Sequence, residues 1–388
     1  MRNRVALAAG AVVLVVVLAY VGFRVVSGGD SAAAGKDVKA CPEVRPPKMA
    51  LAVRPASEPT GTDLDCDIRA YTNFVAPPSW TTMAHAVTAA GDGDHAWQQR
   101  ILLWGYPPCS GCLDPVLDLK KTITEHPDWI LRNTGGKPVH PLSHPGWVLY
   151  DFGNVDFQTA WANAMVAELQ SAGGWSGIDI ADAGNDPDWT SEPIDPRTGK
   201  VMTDNDRIRY LAQALTLVTN VMHISGYNLV AQNGPPSIIE GDQIGSTDGV
   251  SVGDGFVGRE GASWTQLYDY FQEAVTRYVG SWVWDDQRRL TKDEAIFGLA
   301  SYLLVSGPLS TYGVHYQESN PIYQIEVGAP DAPATVTNGV YLRQFANATV
   351  AVNPGNTQET VRLPTVGKVT IEPGEALIDT PNHLYTNL

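Results

Sequence analysis

From Ile68 to about His315, stretches with the two-residue period of a strand alternate with stretches that read as helix. The strand-like segments are Ile68–Val75, Arg100–Tyr106, Val148–Phe152, Gly177–Ala181, Asn228–Gln232, Gly255–Val257, Gly280–Trp284 and Pro308–Gly313. Between them lie helical patterns at Trp80–Ala90, Asp114–His126, Phe157–Ser171, Asn205–Ser225, Trp264–Tyr278 and Lys292–Val305, with a weaker link at Ser237–Ser246. Eight strands separated by helices are the count of a closed (β/α)8 TIM barrel. A doubly wound open sheet alternates likewise, but it wants an early Gly-rich phosphate loop, and none is present. After Tyr316 the pattern changes to short strands: Val340–Phe345, Thr349–Val352, Thr360–Leu363, Lys368–Ile371 and Ala376–Ile378. Asn353-Pro354-Gly355-Asn356, Pro364 and Pro373-Gly374 punctuate them, which reads as a small C-terminal antiparallel β-domain. There are no internal repeats. Asn347-Ala348-Thr349 is a formal glycosylation acceptor.

The ends of the chain narrow the compartment. Arg2 and Arg4 precede an apolar run from Val5 to Phe23, and Arg24 follows it. The run is close to the ~20 residues that span a bilayer and long for a signal-peptide core. Basic residues ahead of it favour a cytoplasmic N-terminus. An uncleaved membrane anchor is the first expectation; a signal peptide cleaved after Ala34 is the second. Either places the rest outside the cytoplasm, anchored or secreted. Residues 28–47, rich in Gly, Ala, Pro and Lys, read as a linker. The expected boundaries are therefore 1–27 anchor or signal peptide, 28–47 linker, 48–316 barrel and 317–388 β-domain. Four cysteines fit an oxidising compartment: Cys109–Cys112 as a loop clip and Cys41–Cys66 tying down the N-terminal arm. Thiol redox chemistry is the weaker reading of the single CxxC, since no helix N-terminus directly activates it. A net charge of −16, with no basic stripe, argues against nucleic acid as partner. Oligomeric state is not legible.

Gly177-Ile178-Asp179-Ile180-Ala181-Asp182 is the segment richest in chemistry. Alternation puts Ile178 and Ile180 on one face and Asp179 and Ala181 on the other. Asp182 then falls at the C-terminal rim, where such barrels carry their catalytic groups. Other strand ends are also polar: Tyr106, Asp151, Asn233, the pair Arg259-Glu260, and Trp282, Trp284, Asp285 and Asp286. Two carboxylates with aromatic faces at a barrel mouth suit glycoside cleavage, one acid protonating the leaving oxygen and the other acting as nucleophile or activating water. Each residue also has a plainer use. Asp285-Asp286 and Asp151 would serve equally as helix caps, Glu260 as the ion-pair partner of Arg259, and the Trp residues as core. His140, His144 and His315 lack zinc spacing, and no Gly-x-Ser-x-Gly elbow is present, so no metal or other cofactor is expected.

Motif order adds a resemblance. His126-Pro127-Asp128-Trp129-Ile130-Leu131-Arg132, then Gly135-Gly136-Lys137, then Val148–Asn154 resembles the barrels of hypothetical glycosyl hydrolase family 15. There an HPDWFL loop leads to a strand ending D.GN, a helix and GyDGvflDD. Tyr341–Asn347 and Val350–Pro354 resemble the family's C-terminal strand pair. The resemblance runs over roughly residues 68–380. It implies a (β/α)8 barrel with a small β-domain, related to carbohydrate-active enzymes. This chain departs from the family at LDD, whose first Asp falls on Ala181 and second on Asp182. Either a bulge turns Asp182 inward, or the inward acid has moved to Asp179, or the nucleophile is lost. Ile178–Asp182 also echoes the chitinase strand DGIDIDWE, but the essential Glu would fall on Ala183, so that chemistry is not supported. The family's later acid is matched by Glu260.

The expected function is an extracytoplasmic glycoside hydrolase cleaving a polysaccharide or envelope glycan. Glu260 would be general acid, and Asp182 or Asp179 nucleophile or base. Tyr106, Asp151, Asn233, Arg259, Trp282, Trp284 and Asp285 would contact carbohydrate. A non-catalytic glycan-binding barrel, or a degenerate structural envelope protein, is the alternative that Ala181 favours.

Overall fold

Eight parallel strands close on themselves in chain order: β1 Leu51–Val53, β2 Asn73–Ala76, β3 His95–Arg100, β4 Gly177–Ile180, β5 Asn228–Gln232, β6 Gly249–Val252, β7 Gly280–Asp285 and β8 Thr311–Val314. Pairing of β8 with β1, Leu51 opposite Tyr312, completes the ring. The computed structural model describes residues 51–387 apart from 92, 109–112, 114, 143, 184–188, 233–244, 254, 259–262, 286–287 and 316–320. The apolar Val5–Phe23 run, the linker, Cys41, Cys109 and Cys112 therefore lie outside the described residues. Cys66, the one described cysteine, is not a free thiol. No helix among the described residues is long and apolar enough to cross a membrane.

The barrel is as the alternation demands, but its strands are not all where the apolar runs stand. The start of the expected Ile68–Val75 strand belongs to helix α1, Gly61–Ala70. Arg100 ends β3, but the rest of Arg100–Tyr106 and all of Val148–Phe152 lie outside the barrel: Trp104–Gly105 and Val148–Leu149 pair antiparallel inside a long excursion between β3 and α4. Gly255–Val257 belongs to the helical turn Gly255–Gly258, because Gly255 adopts φ +36 and leaves the strand conformation. The strands that were hidden are β1, three residues long, β3, and β6, which precedes the expected Gly255–Val257. On β3 the outward face carries Gln98 and Arg100, which engage Glu168 on the overlying helix rather than apolar side chains.

The remaining helices are α2 Thr81–Ala90, α3 Leu119–Glu125, α4 Val155–Ala172, α5 Asp204–Ile224, α6 Trp264–Thr276 and α7 Lys292–Val305. Their starts are chemically marked. Thr203 with Asp206, Ser263 with Gln266 and Thr291 with Glu294 form reciprocal capping boxes, and Asn154 accepts from the N–H groups of Asp156 and Phe157. Ile178, Ile180, Leu229 and Val283 face outward into one apolar layer with Phe157, Trp161, Leu211 and Leu299 of the helices.

The C-terminal residues form β9 Thr335–Thr337, β10 Val340–Phe345, β11 Ala348–Val352, β12 Glu359–Leu363, β13 Gly367–Ile371, β14 Ala376–Asp379 and β15 Leu384–Thr386. Five of them make one antiparallel sheet, order β9-β10-β11-β14-β15, while β12 and β13 form a separate hairpin. Helix α7 is buried from Ala295 to Val305, because the barrel lies on one side and this sheet on the other. Arg343 of β10 fixes the junction. Its Nη1 donates to the carbonyls of Leu303, Leu304 and Ser306 at 2.9, 3.1 and 2.7 Å, satisfying acceptors that the helix end leaves open.

Candidate active site at the barrel mouth

Strand parity decides which side chains enter the barrel. Val230 lies in the interior cluster with Ala52, Val75, Trp97, Trp282 and Trp284. Asp179 of β4 pairs with Val230 on one side and Gln99 on the other, so all three point inward, near the C-terminal ends of their strands. By the same register Ser251 and Gln232 share the interior with Trp282. The Asp179 carboxylate is completely buried there.

The register removes one of the three options raised by Ala181. Pairing runs without interruption through Arg100–Ile180, and the Ala181 N–H donates to Arg100 O at 2.8 Å, so no bulge turns Asp182 inward. Asp182 stands two residues past β4. Its Oδ1 and Oδ2 accept from the backbone N–H groups of Leu102 and Leu103, both at 2.8 Å. Burial pushes its carboxyl up to about 6, against the pull of those N–H donors, its own and that of Trp104. Its geometry is that of a brace between the segments leaving β3 and β4. The inward acid of β4 is Asp179.

Trp282 and Trp284 are buried inside the barrel, 4% and 0% exposed, rather than offered as flat faces. Trp97 meets Trp282 edge-on at 5.0 Å, and Trp282 lies 5.8 Å from Trp284. Trp284 covers Gly313 of β8, where a Cβ would come within 2.0 Å of the indole. Arg54, next after β1, lies over the same ring at 3.9 Å from its centre. The Ser251 hydroxyl and the Trp284 Nε1 are enclosed here with no hydrogen-bond partner among the described residues.

Asp285 has the opposite parity from Trp284 and faces the helix layer. It accepts from Val257 N–H at 3.0 Å and from the Tyr312 hydroxyl at 2.8 Å. Asp151 sits in the β3–α4 excursion. Arg197 Nη2 donates to it at 2.8 Å, and Nη1 donates to Asp195 at 2.9 Å. Burial raises the Asp151 carboxyl above the ordinary range despite Arg197. At Asp195 the upward push of burial is outweighed by hydrogen bonds from the Arg197 backbone, its guanidinium and Tyr210, leaving the carboxyl lowered. This network ties the β3–α4 excursion to the β4–α5 excursion. The Ile194 N–H to Arg132 O bond and the Asn133–Ser191 side-chain bond tie them too. Tyr106 is buried in the first excursion, stacked on Trp147 at 4.5 Å.

Asn233, Arg259 and Glu260 lie outside the described residues. Of the expected site residues, the structure thus brings Asp179, Trp282 and Trp284 into the barrel interior, and sets Asp182 at its rim. Tyr106 and Asp151 belong to the excursions and Asp285 to the outer layer. Arg54, Trp97, Gln99 and Ser251 complete the interior, and the sequence reading passed over them. β1, β3 and β6 lay outside the expected strands, and without strand parity a Gln or Ser carries no signal. Among the described residues, no group of three or more His, Cys, Asp or Glu side chains is placed to hold a metal ion. A cleft of about 910 Å³ runs along the outer face of α5 past Val155, Ile208 and Ile224. It lies outside the helix layer and gathers no carboxylates, so it is not where this chemistry resides.

The profile of hypothetical glycosyl hydrolase family 15 matches residues 112–349. Among solved structures, the cycloalternan-degrading enzyme from Trueperella pyogenes aligns with a TM-score of 0.50 at 10% identity, covering 88% of this chain and 63% of that one. An α-amylase from Lactobacillus plantarum aligns at 0.48 and 12% identity, over 85% and 98% of the two chains. The glycoside hydrolase domain of PelA from Pseudomonas aeruginosa aligns at 0.43 and 10%, over 72% and 97%. At 10% identity the Trueperella pyogenes likeness speaks to the fold alone. No match was found among curated proteins.

Proposed function

The chain belongs to hypothetical glycosyl hydrolase family 15, and from that membership we propose that it is a glycoside hydrolase acting outside the cytoplasm on a polysaccharide or envelope glycan. The observation that carries the proposal is Asp179, an acid on the interior face of β4 near its C-terminal end. In this reading Asp179 is the nucleophile or base and Glu260 the general acid. Glu260 gives its proton to the glycosidic oxygen as the C–O bond breaks. Asp179 either attacks the sugar carbon, forming a glycosyl ester that water later hydrolyses, or takes a proton from the attacking water. A carboxyl separation of about 5–5.5 Å would give retention, and about 6.5–9.5 Å inversion. Asp182 braces the rim. Asn233 and Arg259 contact the sugar beside Glu260, and Trp282 and Trp284 form the floor beneath it. The Val5–Phe23 run supplies the membrane anchor, and the pairs Cys41–Cys66 and Cys109–Cys112 suit an oxidising compartment.

Ala181, standing where the family has Asp, favours a second reading, a barrel that binds glycan without cleaving it. One experiment separates them. The full chain is incubated with a panel of neutral, acidic and amino-sugar polysaccharides and envelope glycans. New reducing ends and retention on each glycan are both measured. Reducing ends that vanish in Glu260→Gln support the hydrolase. Retention without cleavage supports the binding barrel, and neither outcome on any glycan removes both.

A further inference from the structure

The N-terminal end of the barrel, opposite the mouth, carries an apolar arc. Ile224 and Tyr278 are the most exposed large apolar side chains among the described residues, at 87% and 82%, and Leu309 is 50% exposed. They stand just before β5, β7 and β8. Short contacts join their segments. Two residues past Tyr278, the Gly280 N–H donates to Asp248 O at 2.8 Å. A Cβ on Gly280 would lie 3.1 Å from Leu309 O. The Asp248 carboxylate bonds to the ring of His223, the neighbour of Ile224, at 2.8 Å. The charged groups of this arc are engaged with one another, His223 with Asp248 and Arg277 with Glu273. What the arc offers to the outside is therefore apolar and aromatic.

Tyr278 stands where a tyrosine is unfavourable. The Val279 and Tyr278 N–H groups close the end of α6 on Ala274 O and Val275 O, at 2.9 and 3.1 Å, and Tyr278 takes φ +59. That left-handed position after a helix favours glycine, and a bulky side chain there is strained. The ends of α2, α4 and α5 follow the rule with Gly91, Gly173 and Gly226, each at positive φ. An exposed aromatic ring held at this one helix end costs stability and packs little of its own surface. Its use lies outside the fold.

The chain also enters the barrel at this end. Leu51 opens β1 and pairs with Tyr312 of β8, three residues past Leu309. Residues 24–50 connect Leu51 to the apolar Val5–Phe23 run and reach at most about 95 Å when fully extended. A barrel tied to a bilayer within that reach meets the lipid as an intramolecular partner. A patch too small to hold a free protein there is then enough.

We propose that Ile224, Tyr278 and Leu309 rest on the lipid surface, so that the barrel stands on its N-terminal end with its mouth turned away from the membrane. Isoleucine and leucine enter the acyl boundary, while the tyrosine ring sits at headgroup level with its hydroxyl wet. The six residues of β7 rise about 3.3 Å each, which puts the mouth about 20 Å further out, toward glycan outside the membrane. This placement rests on the anchor reading above, not on the chemistry of Asp179.

The test uses the full chain in phosphatidylcholine nanodiscs. The photoreactive residue benzoylphenylalanine is placed in turn at Tyr278, at Leu309 and, on the mouth side, at Leu142, which is 66% exposed. Phospholipid adducts at Tyr278 and Leu309 should exceed those at Leu142 about fivefold or more. With the probe at Leu309, Tyr278→Gly should lower the lipid adduct about threefold or more, while the urea midpoint stays or rises because glycine suits the left-handed position. Equal labelling at Leu142, or an unchanged adduct in Tyr278→Gly, overturns the placement. So do adducts to a second copy of the chain or to its own residues in place of lipid. A full chain that does not float with phosphatidylcholine vesicles defeats the anchor reading, and the placement with it. The reducing-end assay is independent of both results.

Discussion

Removing the charge of Asp182 should change how stability depends on pH. Burial at the rim pushes the carboxyl up to about 6, from 3.8 for an unperturbed Asp. The native state therefore holds a proton that the unfolded chain has released over the interval between those values. Stability then falls as pH rises through it, because the native state binds the more protons there. A shift of about two units corresponds to about 3 kcal/mol, fully present below pH ~4 and lost above pH ~6. Asp182→Asn has no such proton. It keeps one oxygen for Leu102 or Leu103 but turns an NH2 group toward the other N–H, so it should be less stable than wild type at low pH, by about 1–3 kcal/mol. The assay is urea unfolding of both proteins at half-unit steps from pH 4 to 7.5. The difference between the two, in which the other carboxylates cancel, is the informative quantity. Wild type should lose about 3 kcal/mol relative to Asp182→Asn over the range. A difference that stays flat, or in which wild type gains with pH, refutes the reasoning that burial dominates this site.

Three substitutions test the packing that frames the mouth. Gly313→Ala places a Cβ where the Trp284 indole already is, 2.0 Å away, and should cost about 1–3 kcal/mol or more in unfolding free energy. Arg343→Met strips its bonds from the carbonyls of Leu303, Leu304 and Ser306 and should lower the melting temperature, with about 2–4 kcal/mol lost. Arg197→Met removes the cation shared by Asp151 and Asp195; limited proteolysis should then cut within residues 189–203 faster than in wild type, with about 3–5 kcal/mol lost in stability.

The barrel was legible because its strands and helices have different periods, and because the helix starts carry capping residues such as Thr203, Ser263 and Thr291. Strand placement was less so. Leu51–Val53 is too short for a period to show, and β3 reads as polar because Gln98 and Arg100 meet Glu168 instead of an apolar helix face. The inward direction of Asp179 followed from alternation with Ile178 and Ile180. Alternation also contained a warning about Asp285, whose neighbour Trp284 points in and which must therefore point out. What no local pattern carried was tertiary. The grip of Leu102 and Leu103 on Asp182, and of Arg197 on Asp151, joins excursions that are far apart along the chain.

The proposed hydrolase assigns the chemistry of β4 to Asp179 and leaves Asp182 to brace the rim. The most direct measurement is kcat of Asp179→Asn and Asp182→Asn, side by side with wild type, on a glycan that the wild type cleaves. Turnover should fall about 10²–10⁴-fold in Asp179→Asn and less than about tenfold in Asp182→Asn. Near wild-type turnover in Asp179→Asn, with the large loss in Asp182→Asn instead, would contradict it.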